Sequence, residues 1–181
     1  MKIMIASDIH GDSNCTEKML EIFDSEHCEK LLLLGDILYH GPRNDLPSGY
    51  SPKRVIELLN ARANNIIALK GNCDAEVDEM VLKFKITPAF LPLEVNGLRI
   101  VATHGHRYNK DNLPELDFDI LLYGHTHIQR IEKSDSGKAF INPGSVSIPK
   151  ENNPCTIAIL DKNALTIYDF EMKPVNSIKF I

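Results

Sequence analysis

Seven side chains hold the chemistry open to this sequence: Asp8, His10, Asp36, Asn72, His104, His125 and His127. Each stands at or just past the end of an apolar run: Ser7-Asp8-Ile9-His10-Gly11, Gly35-Asp36, Gly71-Asn72-Cys73-Asp74, Thr103-His104-Gly105-His106 and Gly124-His125-Thr126-His127. Carboxylate and imidazole donors together suit Mn²⁺, Fe, Zn²⁺, Ni²⁺ or Co²⁺ better than Ca²⁺ or an all-oxygen Mg²⁺ site. Seven such groups are too many for one ion and about right for two, with Asp36 shared between them. On extended backbone, residues i and i+2 point the same way, which makes Asp8/His10 and His125/His127 two convergent pairs.

The elements that must deliver these groups are strands. Leu31-Leu32-Leu33-Leu34 reads as a strand buried on both faces, Lys30–Leu34, ending at Gly35 and Asp36. In open α/β sheets chemistry sits beyond the carboxyl ends of strands. Lys2–Ser7 and Asn65–Lys70 are two more such strands. A helix after the first is capped by Ser13 or Asn14, with Cys15, Met19, Leu20 and Phe23 on one face; Ser51-Pro52 opens a second, through Val55, Leu58 and Leu59. Val77, Met80, Val81 and Phe84 define a third, with Asp74 placed to cap it. This β-α-β-α-β-α order implies parallel strands with right-handed crossovers.

Beyond it, Phe90–Val95, the turn Asn96-Gly97 and Leu98–Thr103 form a hairpin. Phe118–Tyr123 is a further strand, and the remainder is a meander: Ile128–Lys133 with Ala139–Asn142, Thr156–Leu160 with Leu165–Phe170, and a last strand near Ser177–Ile181. Two mixed β-sheets packed as a sandwich and flanked by helices, in one domain over residues 1–181, is the architecture expected. The 37–52 loop, with Pro42, Pro47, Gly49 and Pro52, is long enough to be a functional wall.

A net charge of −5, with no lysine- or arginine-rich block, argues against a strong nucleic-acid or anionic-membrane surface. No stretch approaches a membrane span, and the first apolar residues are interrupted at Asp8, before any signal-peptide core forms. Cys15, Cys28, Cys73 and Cys155 are scattered, as expected of free thiols in a reducing cytoplasmic setting.

The order D-x-H, G-D, G-N-C-D, H and G-H-x-H resembles the calcineurin-like metallophosphoesterase superfamily. The runs His-Gly-Pro-Arg-Asn at 40–44 and Asn-Pro-Gly-Ser-Val-Ser-Ile-Pro-Lys at 142–150 are similar to its small bacterial YfcE-type phosphodiesterases. The resemblance implies an α-β-β-α fold and two divalent ions, Mn²⁺ first, with Ni²⁺, Co²⁺, Fe²⁺ or Zn²⁺ as alternatives. Asp8, His10 and His127 would hold one ion, Asn72, His104 and His125 the other, and Asp36 would bridge. The implied reaction is hydrolysis of a small phosphodiester by a metal-bridging hydroxide, without a covalent enzyme intermediate.

Cys73 departs from the histidine that many relatives carry there to protonate the leaving oxygen, helped by the next acidic residue, here Asp74. A thiol with a pKa of ~8.5 is a poorer acid for that task. His40 is an alternative proton donor, and Arg43 with Asn44 are the expected substrate contacts. His106 reads as lying behind the site or at the surface, and 142–145 as a supporting turn. Alternatives with the same site are a phosphomonoesterase or a dinucleotide hydrolase. From another class comes a metal-free scaffold like the Vps29 subunit of retromer, against which every ligand position is intact. The open edges of a two-sheet sandwich would suit a homodimer or homotetramer.

Overall fold

A computed structural model describes residues 1–87 and 89–180. Its strands are β1 (Ile3–Ala6), β2 (Lys30–Leu33), β3 (Ile66–Leu69), β4 (Ile86–Thr87), β5 (Phe90–Val95), β6 (Leu98–Thr103), β7 (Ile120–Leu122), β8 (Arg130–Lys133), β9 (Ala139–Asn142), β10 (Thr156–Asp161), β11 (Ala164–Asp169) and β12 (Pro174–Lys179). The helices are α1 (Ser13–Ser25), α2 (Pro52–Asn60) and α3 (Asp78–Val81). One sheet runs β12-β11-β10-β1-β2-β3-β4, the other β5-β6-β7-β9-β8. Strands β1 to β4 are mutually parallel, and β10 joins them antiparallel to β1. The expected last strand is β12; Ile181 lies outside the described residues.

Strand alternation splits the core into two layers. Ile3, Ile5 and Leu32 face Ile100, Ala102, Ile120 and Ile141 of the second sheet. Met4, Ala6, Leu31 and Leu33 face the other way, onto Met19, Leu20 and Phe23 of α1 and Val55 and Leu59 of α2. The leucine run is thus buried on both faces, which holds β2 in register: a one-residue slip would exchange its faces. The helical cover lies over the first sheet. The outer face of the second carries a smaller cluster, Val101, Phe118 and Leu121 against Phe90 and Phe140.

Two local expectations change. The α1 cap is Asp12, whose carboxylate accepts from Cys15 N at 2.9 Å, and not Ser13 or Asn14. The expected helix through Val77 and Phe84 is a single turn, with Val77, Met80 and Val81 exposed. It stops because Asn60 takes both sides of its end: Nδ2 donates to Val81 O at 2.8 Å, and Oδ1 accepts from Lys83 N at 2.7 Å. Phe84 and Ile86 then turn into the core, and Ile86–Thr87 pairs alongside β3.

Candidate metal centre

The carboxyl ends of β1, β2, β3, β6 and β7 bring six of the seven expected ligands to one buried point, with Asn72 at its rim. Asp8, His10 and His127 offer ligand atoms within 4.8 Å of one another, as do Asp36, His104 and His125, and likewise His10, Asp36 and Cys73. Asp8, His10 and His104 are 0% exposed, Asp36 2% and His127 3%, so five ionisable groups sit almost out of water. Asn72 Oδ1 lies 3.1 Å from His104 Nε2.

The pairs converge for a different reason than alternation on a strand. Asp8 (φ 56°), His10 (φ 49°), Asp36 (φ 55°), His125 (φ 67°) and His127 (φ 61°) all adopt left-handed backbone beyond the strand ends. That conformation costs a non-glycine residue roughly 1–2 kcal/mol, and such residues gather where function over-determines the backbone. Here the loops are fastened to each other: Asp8 N donates to Gly35 O, His10 N to Asp36 O and Gly124 N to His104 O. Ser145 Oγ and Ser147 Oγ both donate to Asp8 O, at 2.8 and 3.2 Å, and Asn142 Nδ2 donates to Gly124 O at 2.8 Å. The 142–145 turn supports the site as expected. The two serines were missed as individuals, although the Asn-Pro-Gly-Ser run marked the place.

Three imidazoles are fixed in one orientation. His10 Nδ1 faces Tyr39 O, His104 Nδ1 faces Leu34 O and His127 Nδ1 faces Ile148 O, each at 2.8 Å. A carbonyl only accepts, so each Nδ1 carries its proton and each neutral ring turns an Nε2 lone pair inward. Those lone pairs meet: His10 Nε2 and His127 Nε2 are 3.3 Å apart. His127 Nε2 is also 3.3 Å from Asp8 Oδ1, a buried oxygen with no hydrogen-bond partner. Lone pairs and carboxylate oxygens facing each other out of water require a positive charge among them. The donor set fits a divalent cation.

The titration behaviour agrees. Burial alone would depress His104, but Asp36 Oδ2 at 3.4 Å outweighs it and lifts the pKa to about 9. Burial likewise opposes, and Asp8 overcomes, a rise at His10. Burial would raise Asp8, yet His10 and His127 hold it well below the usual carboxylate range; against the same burial, His104 lowers Asp36. His125 is pushed down to about 4 by burial and by its His104 neighbour, which leaves its ring neutral. Protons here take places that cations can fill.

Asp74 does not cap a helix. Its carboxylate is buried and accepts from Asp36 N, Ile37 N and Gly71 N, each at 2.7 Å, so it clamps the backbone that presents Asp36. Burial raises its pKa against the pull of these donors. Cys73 N donates to Asp36 Oδ1 at 2.8 Å, and burial beside Asp36 pushes the Cys73 thiol up to about 12. The side chain therefore stays a thiol.

A cleft of about 370 Å³ opens onto the centre, lined by Asp36, Asn72, Cys73, His125 and His127, and further out by Arg43, Asn44, Thr126 and Lys150. Arg43 and Asn44 thus stand where substrate contacts were expected, while Thr126 and Lys150 were not foreseen. His40 is placed apart from the cleft lining: its ring stands edge-on to Tyr39 and Tyr50, at 4.7 and 5.3 Å between centroids. His106 is half-buried behind His104, 5.3 Å between ring centroids.

Known proteins share this arrangement of chain. Residues 1–164 match the profile of the calcineurin-like phosphoesterase superfamily domain. Phosphodiesterase YfcE of Escherichia coli K12 is 48% identical over 169 residues, spanning 92% of this chain and 91% of that protein. A phosphodiesterase of Methanocaldococcus jannaschii is 33% identical over 173 residues, 89% of this chain and 93% of that one. The structure of E. coli YfcE superposes with a TM-score of 0.95 at 43% identity, covering 99% of each chain. Vps29 of Entamoeba histolytica shares the fold, with a TM-score of 0.69 at 22% identity over 100% of both chains. With its strand-end aspartates and histidines, its two mixed sheets and these matches along nearly its whole length, the chain belongs to the calcineurin-like phosphoesterase superfamily.

Proposed function

We propose that this protein is a metal-dependent phosphodiesterase with a dinuclear centre. Asp8, His10 and His127 hold one divalent ion, Asn72, His104 and His125 the other, and Asp36 is shared. The observation that carries the reading is the pair of inward Nε2 lone pairs, 3.3 Å apart beside the unpartnered Asp8 Oδ1. Bound divalent ions would polarise the phosphoryl oxygens and acidify the attacking water. A mixed imidazole, carboxylate and carboxamide set accepts several first-row divalent ions; the family resemblance puts Mn²⁺ first, with Ni²⁺, Co²⁺, Fe²⁺ or Zn²⁺ as substitutes.

The chain's own residues do the rest. Asp74 and the two serines fix the loops of Asp36 and Asp8. Arg43, Asn44 and Lys150 at the mouth orient an anionic ester. Cys73, held as a thiol, is a weak proton donor, which suits diesters whose leaving group departs without protonation. The relatives named phosphodiesterases in E. coli and M. jannaschii support a diester over a monoester. Among the described residues no helix is long and apolar enough to cross a membrane. A small phosphodiester is the expected substrate.

The test is to strip the protein with chelator, return each metal separately and follow bis-p-nitrophenyl phosphate and p-nitrophenyl phosphate. Mn²⁺-restored hydrolysis that favours the diester, and falls at least about 100-fold in Asp36→Asn, is expected. Hydrolysis indifferent to chelation and to Asp36 would overturn the reading.

A further inference from the structure

Four of the six arginines are held in ion pairs: Arg54 with Glu17 and Glu57, Arg62 with Asp24, Arg99 with Asp117 and Asp119, and Arg130 with Glu132. Among the described residues Arg43 makes none, nor does Lys150. Arg43 stands on the 37–52 loop and Lys150 beyond β9, in the segment that holds Asp8. With Asn44, both line the metal-centre cleft and also an outer cavity of about 410 Å³. The outer cavity is walled by Leu46, 61% exposed, and by Ser48 and Ser147. Two unpaired cations at one boundary repel each other, in a chain whose net charge of −5 offers anions enough to neutralise them. Asp45, also in the outer cavity, pairs with neither among the described residues.

We infer that the outer cavity is a subsite for a second phosphoryl group, so that the preferred substrates are phosphodiesters with a further phosphate on one ester arm, as in nucleotide derivatives. The inference rests on the phosphodiesterase reading above. The scissile phosphate sits in the inner cleft, and Arg43 and Lys150 grip the second one across the boundary. Arginine's planar fork suits a phosphate oxygen pair, and lysine adds a mobile point charge. The apolar and hydroxyl-bearing wall of the outer cavity gives the sugar or base a surface to pack against.

The measurement uses two esters that differ in one group: thymidine 5′-(p-nitrophenyl phosphate), and the same ester with a 3′-phosphate. In both, water supplies the new oxygen on phosphorus and p-nitrophenol leaves. With Mn²⁺ present, the wild-type kcat/KM ratio should favour the 3′-phosphorylated ester by about tenfold or more, the scale of one charge-assisted contact. In Lys150→Ala and in Arg43→Ala the ratio should fall toward one, whereas Arg107→Ala, which alters an arginine that lines neither cavity and makes no ion pair among the described residues, should preserve it. Equal use of both esters by the wild type would overturn the subsite and leave the phosphodiesterase standing. So would a preference that survives both substitutions or is lost in Arg107→Ala. If neither these esters nor bis-p-nitrophenyl phosphate is hydrolysed with any metal, the underlying reading fails and the subsite with it.

Discussion

Asp74 shows how a residue set back from the cleft fixes the position of one that lines it. Its two carboxylate oxygens satisfy three buried amides, on Asp36, Ile37 and Gly71. Asparagine keeps the shape but has one acceptor oxygen, and its NH₂ would face an N–H. Asp74→Asn should cost about 2 kcal/mol, the scale of a lost charged hydrogen bond with a stranded partner, and metal affinity should fall about 10- to 100-fold, as for residues behind metal ligands. Urea melts and a Mn²⁺ titration of the same variant measure both; a titration equal to wild type would deny the clamp. Cys73 gives a second prediction. With the thiol at about 12, leaving-group protonation is weak. Cys73→His should raise kcat/KM on alkyl phosphodiesters over bis-p-nitrophenyl phosphate by about tenfold or more, given the 10²–10⁴-fold range of general acids. An unchanged ratio would remove position 73 from proton transfer.

Elements meet at this site with no spare volume. Where the loops leaving the parallel strands β2 and β3 touch, a Cβ on Gly71 would come within 2.1 Å of Asp36 Oδ1 and 2.5 Å of Asp36 N. Gly71→Ala should therefore displace Asp36 and abolish metal-dependent hydrolysis. Gly97, in the β5–β6 turn, has open space but φ +81°; alanine there should cost about 1 kcal/mol from left-handed strain and leave hydrolysis within about twofold. If the two variants lose activity alike, the close approach of Gly71 is not what holds Asp36. The contrast also marks what the sequence could reveal. Leu31–Leu34, the Asn96-Gly97 hairpin and the glycine-flanked Asp and His positions express their environment in residue type, so strands, sheets and ligand candidates were legible. Left-handed backbone at Asp8, His10, His125 and His127 was not, because loop-to-loop hydrogen bonds impose it against local preference. The short α3 misled in the opposite way: an apolar spacing at 77, 80, 81 and 84 matched a helix, but capping by Asn60 and the pull of Phe84 and Ile86 into the core prevailed.

For the whole molecule, the metal centre links five strand ends drawn from both sheets, so its charge state bears on global stability. Without metal, the His104 pKa near 9 lies above its ordinary 6.5. Its contribution to folding is complete below about pH 6.5 and is lost as pH rises through about 9, so metal-free protein should melt at lower temperature across that window. Metal must displace that proton, so apparent affinity should climb over the same interval. At a hundredfold excess over Kd, metal adds ~2.7 kcal/mol, or about 5–10 °C in Tm for a chain of this size. A melting temperature indifferent to both pH and metal would separate the site from the fold.

A dinuclear centre requires two ions sharing Asp36, and metal stoichiometry tests that directly. Stripped protein would be titrated with Mn²⁺, with bound metal counted by elemental analysis and its coupling read by electron paramagnetic resonance. Two equivalents per chain with an exchange-coupled signal are expected, and uncoupled or substoichiometric metal in Asp36→Asn. A single uncoupled Mn²⁺ in the wild type would contradict the dinuclear centre.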